Sequence, residues 1–206
     1  MNGRKSFFVA TIIVLVAAAL FARWVLHDGL SARSTPSWLE TFVARKSRHL
    51  SIPNGARAET SPVVNSPEVQ RDARLHFADH CAVCHGNDGS GDTMMGRGMY
   101  PKPPDLRDAH TQKLSDGELF WIIENGVRFT GMPAFGGNNG GHGGQVDSWK
   151  LVLFIRHLPQ LTAEERLEME KYNPKGPEDR EEEQREEDFL NENTPQPMKE
   201  MEHHHH

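Results

Sequence analysis

The sequence predicts an all-α protein in which a small helical domain lies between an apolar N-terminal segment and an acidic C-terminal extension. Three observations predict this class: an apolar run near the start, apolar residues at helical spacing behind N-cap signals in the middle, and an uneven charge. The net charge is +5 over residues 1–66 (8 basic, 3 acidic), −2 over 67–162 (9 and 11) and −9 over 163–206 (6 and 15), giving −6 in total. We expect four segments: a membrane anchor or signal segment at 1–27, a linker at 28–66, a compact domain at 67–160 and an acidic, partly disordered extension at 161–206.

The N-terminal run FFVATIIVLVAAALFARWVL, from Phe7 to Leu26, is almost entirely apolar. At ~1.5 Å per residue, a helix of this length reaches about 30 Å, the thickness of a bilayer core. Arg4 and Lys5 precede it, which predicts that the N-terminus stays in the cytoplasm and the rest of the chain is exported. A cleaved signal peptide is the alternative, because the uninterrupted run is short and ends at the small residue Ala22. Either interpretation exports the domain.

The linker is rich in Pro, Ser and Ala and contains one amphipathic segment, PSWLETFVARKSRHL. Its apolar residues Trp38, Leu39, Phe42 and Val43 recur at helical spacing. Such a helix could lie on the membrane surface or on a partner protein, or it could pack on its own domain. The sequence leaves these alternatives open.

The two cysteines of the chain lie three positions apart in CAVCH, where Cys81 and Cys84 are followed at once by His85. A zinc site would need about four ligands, and no second cysteine pair exists to complete one. A thioredoxin-like site would need a βαβ context, and helix and loop signals flank this motif instead. The remaining interpretation is covalent attachment of a c-type haem, with thioethers at both cysteines and the histidine on the iron.

Helix signals surround this motif on both sides. Ser66 is an N-cap candidate for a helix that runs without a breaker into the cysteines. Ser115 and Glu118 form a capping-box pattern before an apolar stripe, and Asn125-Gly126 ends that helix. A last helix, SWKLVLFIRHL, is ended by a proline.

One of the eight methionines stands out as a ligand candidate for the iron. Met132 lies between Gly131, which permits a tight backbone path, and Pro133, which stiffens the next turn. A glycine-rich loop, residues 136–145, follows and contains His142, which could replace Met132 or bind another metal, or belong to a flexible surface loop.

These pieces together resemble a class I mono-haem cytochrome c domain over residues 67–160. The matching segments, in order, are the helix ending in CAVCHG, the loop PKPPDL, the helix LSDGELFWIIENGV, the loop GMPAF and the helix SWKLVLFIRHLP. Similar domains occur in subunits of bacterial terminal oxidases and in periplasmic electron carriers. The resemblance implies small helices and loops wrapped around one covalent haem c, with Ala73 and Phe77 meeting Phe154 where the first and last helices cross.

The resemblance also implies the roles of four residues. Cys81 and Cys84 would be the thioether sites, His85 the proximal iron ligand and Met132 the distal one. The implied function is a membrane-anchored electron carrier, not an enzyme, in a periplasmic respiratory chain of a bacterial cytoplasmic membrane. Its partners would be redox proteins and the membrane; nucleic acid is not expected, because the domain is slightly acidic and has no basic stripe.

Two other function classes stay open at this stage. One is a haem-based gas or redox sensor in which Met132 is displaced, and the other is a non-catalytic haem subunit of a larger respiratory enzyme. The C-terminal extension does not distinguish between these function classes. It begins with a capping-box pattern from Thr162 to Glu165, becomes strongly acidic, contains the apolar pair Phe189-Leu190, and ends in four histidines that fit either a metal site or a purification tag.

Overall fold

The computed structural model describes residues 3–28, 31–137 and 144–193, and every regular element within those ranges is helical, which confirms the all-α class. The N-terminal helices are α1 (Gly3–Asp28), α2 (Trp38–Ser51) and α3 (Asn54–Ala58). The central helices are α4 (Pro67–His80), α5 (Ala82–His85), α6 (Met94–Arg97), α7 (Ala109–Gln112), α8 (Asp116–Asn125) and α9 (Gln145–His157). A 3₁₀ turn follows at Leu158–Gln160, and α10 (Ala163–Glu170) and α11 (Pro177–Asn193) complete the described helices.

The core is built on the crossing of α4 and α9. Helix α4 starts where predicted, because the Ser66 side chain accepts a hydrogen bond from the Val69 amide at 3.2 Å. The rings of Phe77 and Phe154 meet at the crossing with their centroids 5.1 Å apart, and both side chains are fully buried. The expected contact is therefore confirmed, and Ala73 lies in the same buried cluster.

Helix α8 packs against α9 and completes the core. The predicted capping box is present: Ser115 Oγ accepts from the Glu118 amide at 3.1 Å, and Glu118 Oε2 accepts from the Ser115 amide at 2.8 Å. The ring of Phe120 stacks on Trp149 with centroids 4.2 Å and planes 6° apart. The apolar stripe of α8 is thus buried against α9.

The end of the linker packs on the start of α8. Ser115 Oγ donates to the carbonyl of Arg57 at 2.9 Å. The backbone approach is so close that a Cβ atom added to Gly117 would overlap the carbonyl oxygen of Ala56. Ile52, just before α3, is 2% exposed. This part of the linker therefore belongs to the compact body.

Helix α10 is also part of the compact body. The Thr162 and Glu165 capping box forms as predicted. Met169 is completely buried in the core cluster. Arg74 on α4 donates to Glu165 Oε1 at 2.7 Å and to Glu168 Oε2 at 2.5 Å. Packing and ion pairs therefore tie the start of the C-terminal extension to α4.

The acidic segment after α10, which the sequence predicts to be solvated and partly disordered, contains helix α11 over residues 177–193. Glu, Gln and Arg, which dominate the segment, have high intrinsic helix propensity, so a solvated helix is compatible with the composition. At its start, Asp179 Oδ2 accepts from the Gly176 amide at 2.8 Å. Phe189 is largely exposed, and the Leu190 side chain lies outside the described residues.

Helix α1 contains one candidate membrane span, Lys5–Trp24, whose described side chains are exposed. Its length and composition are sufficient to cross a bilayer, and an N-terminal signal sequence would have the same properties.

Candidate metal centre

The first part of the candidate site is the turn at residues 81–85, here called the CAVCH turn, which directly continues α4. The Cys81 amide donates to the Phe77 carbonyl at 2.9 Å, and the His85 amide donates to the Cys81 carbonyl at 2.9 Å. The helix predicted to run into the motif does so, and it brings Cys81, Cys84 and His85 together on one turn. The same turn is held from the far side, where Thr93 Oγ1 donates to the Val83 carbonyl at 2.9 Å.

Both thiols are free and partly buried. Burial, assisted by the neighbouring Cys84, raises the pKa of the Cys81 thiol to about 12. Burial also raises the pKa of Cys84. A redox-active cysteine pair is marked by a lowered thiol pKa, so this environment does not favour thioredoxin-like chemistry.

The imidazole of His85 packs near Phe77, with ring centroids 6.4 Å apart. Burial lowers its pKa, and the Pro104 carbonyl acts in the opposite direction. Nδ1 is buried and has no hydrogen-bond partner within normal geometry. A proton on Nδ1 would leave Nε2 as the lone-pair atom for a metal. The partly buried, neutral ring therefore fits a metal ligand.

The second part is the loop at residues 127–136, here called the methionine loop. The Met132 amide donates to Thr130 Oγ1 at 3.1 Å, and the Met132 carbonyl accepts from the Val127 amide at 3.1 Å. Beyond the methionine, the Phe135 amide donates to the Ile123 carbonyl of α8 at 3.0 Å. Met132 itself is half-buried. The loop is therefore fixed internally and is tied to the end of α8.

Gly126, predicted only as the end of α8, also sets the path of this loop. Its φ of 63° is in the region that favours glycine. A Cβ atom at Gly126 would lie 2.5 Å from the carbonyl carbon of Pro133 and 2.6 Å from the nitrogen of Ala134. Only a residue without a side chain allows the loop to approach α8 this closely.

Met99 lies beside the methionine loop, although no pattern in the sequence singled it out. A Cβ atom at Gly131 would lie 2.8 Å from Met99 Sδ, so this thioether packs against the residue directly before Met132. Met94 and Met95, in the same glycine-rich segment, are instead exposed. No local pattern distinguishes Met99 from these two, because its contact joins residues 32 positions apart.

Comparison with known proteins gives one family match. Residues 68–155 match the family model described as cytochrome c oxidase, cbb3-type, subunit III. Residues 68–155 are a class I c-type cytochrome domain. Such a domain binds haem and takes part in electron transport. The match covers less than half of the chain, and none of the curated proteins compared matches it.

The cytochrome domain contains all of the candidate haem residues. The match begins in α4 and ends in α9, so the crossing of these helices, the CAVCH turn and the methionine loop lie inside it. Helices α1, α2, α3, α10 and α11 lie outside. The donor set of one imidazole and two free thiols on the same turn fits a covalently held haem.

Alternative metal sites find no support in the described parts of the chain. Among residues 3–28, 31–137 and 144–193, no group of three or more His, Cys, Asp or Glu side chains could hold a metal ion. His142 and the four C-terminal histidines, which the sequence left as candidates, lie outside the described residues.

Proposed function

We propose that this protein is a membrane-anchored, mono-haem c-type cytochrome that carries single electrons in a periplasmic respiratory chain. The CAVCH turn carries the proposal, because it follows α4 inside the matched cytochrome domain with free thiols and a partly buried imidazole. The chain contains two cysteines and one such turn, which fits one haem.

We assign the attachment of the haem to Cys81 and Cys84 and the proximal position to His85. Each thiol would add across one vinyl group, so that sulfur bonds to one vinyl carbon and the thiol hydrogen goes to the other. His85 would bind the iron through Nε2. The hydrogen bonds that hold the CAVCH turn on α4 support this role, because a short rigid turn presents all three side chains together.

We assign the distal position to Met132. The haem iron, when bound, supplies a centre that gains and loses one electron, and a histidine–methionine pair suits this role at a raised potential. The loop that presents Met132 is anchored at Val127 and Ile123, so the thioether would keep its position in both oxidation states. Buried Phe77 would limit the access of water to the histidine side.

We place the haem domain on the outer face of the bacterial cytoplasmic membrane, with α1 as the anchor. Support comes from the length and apolar composition of Lys5–Trp24 and from the basic pair before it. We further propose that the anchor ends near residue 27, that residues 28–66 link it to the domain, and that residues 161–206 form an extension whose first helix is docked. The protein then acts as a carrier, with no catalytic residue of its own.

A second candidate is a haem subunit of a larger respiratory enzyme. The printed description of the family, a subunit of cytochrome c oxidase, favours it. The regions outside the match would then hold the docking surfaces. Co-purification of the chain with an oxidase from native membranes would support this candidate over an independent carrier.

The experiment that tests the haem ligands is an optical spectrum of the oxidised and reduced protein, with and without carbon monoxide. We expect a low-spin c-type spectrum that carbon monoxide does not change. Met132→Ala should keep the haem attached but give a high-spin, carbon-monoxide-reactive iron, whereas Met95→Ala, at an exposed methionine, should behave as wild type. A low-spin, unreactive Met132→Ala protein would remove Met132 as ligand, and a reactive wild type would favour the sensor function.

Covalent attachment is tested separately by the Cys81→Ala, Cys84→Ala double variant. We expect acid-acetone extraction to leave the pigment on the wild-type protein and to leave none on the variant. Pigment that survives extraction in the double variant would contradict the thioether assignment.

A further inference from the structure

Helix α2 carries an apolar stripe that no described part of the protein covers. Its members are Trp38, Leu39, Phe42 and Val43, and their exposed fractions are 80, 53, 53 and 52%. All of α2 is free of buried residues. Four large apolar side chains in one exposed row are unusual on a soluble surface and indicate contact with another apolar phase.

Polar residues beside the stripe attach α2 to the cytochrome domain. Tyr100 Oη donates to Glu40 Oε1 at 2.9 Å. Arg45 Nη1 and His110 Nε2 are 3.1 Å apart. These bonds orient the helix about its own axis. Beside these contacts, the four apolar side chains of the stripe stay at least half exposed.

The attachment extends along the helix and includes a partly buried contact. His49 Nδ1 lies 3.2 Å from Glu118 Oε1, a buried carboxylate at the start of α8. The start of α2 is fixed as well, because Ser37 and Glu40 form a reciprocal capping box. A helix bound to the domain at three positions moves together with it.

The charges beside the stripe indicate which phase covers it. Lys46 lies between the apolar residues around the helix. Long basic side chains at such positions can extend their charged ends to lipid headgroups while their stems stay on apolar surface. Basic residues of this kind are attracted to anionic lipids, and tryptophan favours the membrane interface. This combination fits a lipid surface better than the core of a protein interface, which is depleted of lysine.

The chain length from α1 keeps α2 near the membrane. Only nine residues separate Asp28, the last residue of α1, from Trp38, the first of α2. Even fully extended, that connection reaches at most about 35 Å. If α1 spans the bilayer, α2 cannot leave the neighbourhood of the membrane surface.

We propose that α2 is an interfacial helix that lies in the outer surface of an anionic membrane and holds the cytochrome domain there in one orientation. Its apolar stripe enters the boundary between headgroups and acyl chains, while Glu40, Arg45 and His49, beside the stripe, hold the domain. The domain then keeps a fixed orientation beside the membrane instead of moving freely on a flexible linker. This inference rests on the proposed membrane anchor.

The test places nitroxide spin labels on the full-length holoprotein in nanodiscs that contain phosphatidylglycerol. Leu39→Cys reports on the stripe, and Ala44→Cys is the matched control, because Ala44 is exposed and lies ~160° around the helix from Lys46. Leu15→Cys, in the middle of α1, reports on the anchor. Unmodified protein should take up no label, because its two thiols would be held in thioethers.

Oxygen concentrates in lipid and a nickel chelate stays in water, so collision rates with the two reagents report the phase around each label. We expect the oxygen-to-nickel ratio at Leu39→Cys to exceed that at Ala44→Cys several-fold, with the difference reduced in nanodiscs of phosphatidylcholine alone. Equal, water-like ratios at both positions would overturn the proposal, as would a Leu39→Cys label shielded from both reagents, which would indicate a protein partner or a second copy. A water-like oxygen-to-nickel ratio at Leu15→Cys as well would contradict the proposal that α1 is a membrane anchor.

Discussion

Gly126 lies so close to Pro133 that a side-chain carbon at Gly126 would be 2.5 Å from the carbonyl carbon of Pro133. The contact joins the end of α8 to the methionine loop one residue after Met132. The position of the proposed distal ligand therefore depends on a glycine that lies six residues before it.

We expect Gly126→Ala to weaken the bond between Met132 and the iron, because the added carbon collides with backbone that cannot rotate away. The glycine-only backbone conformation adds a cost of roughly 1–3 kcal/mol. The measurement is the optical spectrum with and without carbon monoxide, which should show partial high-spin, reactive iron. Gly137→Ala is the matched control, since Gly137 also has a positive φ of 100° but has no atom within 4 Å of a Cβ. An unreactive Gly126→Ala protein would mean that the loop position does not depend on this contact.

Arg74 is expected to be the main attachment of α10 to the domain. It is 8% exposed and binds two carboxylates, Glu165 and Glu168. Arg74→Met would leave both carboxylates without this partner and should lower the free energy of unfolding by roughly 2–3 kcal/mol. Arg71→Met, which removes a more exposed partner of the same Glu168, should cost less than about 1 kcal/mol. Denaturant unfolding of the holoprotein, followed by circular dichroism, measures both. Equal losses of unfolding free energy in the two variants would show that the burial of Arg74 does not increase its contribution.

The same cluster predicts a loss of stability in acid. Hydrogen bonding by Arg74 holds the pKa of the Glu168 carboxyl below its usual value. Folding therefore favours the ionised form, so this contribution is complete well above pH 4.5 and disappears as the pH falls through the lower folded pKa. We expect the Glu168→Gln variant to lose less unfolding free energy than wild type between neutral pH and about pH 3.5. Glu170→Gln, on the exposed side of α10, should keep the wild-type pH dependence of the unfolding free energy. If this variant also showed a reduced pH dependence, the effect would come from net charge and not from the contact with Arg74.

Gly117 is expected to hold the linker against α8. In an isolated helix, Gly117→Ala would favour folding by up to about 1 kcal/mol. Here the new carbon overlaps the carbonyl oxygen of Ala56, so we expect α3 to separate from the domain and trypsin to cleave faster at Arg57. Gly55→Ala, where a Cβ has no atom within 4 Å, should keep the wild-type cleavage rate. Unchanged cleavage in Gly117→Ala would mean that the contact does not protect the linker.

The sequence alone determined the features that depend on neighbouring residues. The caps at Ser66, Ser115 and Thr162 all form as predicted, because a cap requires only that a side chain reach an amide three residues away. The CAVCH spacing likewise pointed to a cytochrome domain, which the family match bears out. In the acidic tail, residues 177–193 form helix α11, which is compatible with their helix propensity.

Only the tertiary structure decided which distant residues meet. The contact of Gly126 with Pro133, the position of Met99 against Gly131 and the binding of Glu168 by Arg74 depend on how helices and loops pack, and no short pattern encodes them. The linker shows the same division. The spacing of Trp38, Leu39, Phe42 and Val43 predicted an amphipathic helix, but whether its apolar face packs on the domain depends on which side forms the stronger specific contacts. Hydrogen bonds from polar residues beside the stripe to residues 60 or more positions away hold α2 on the domain, and the stripe stays exposed.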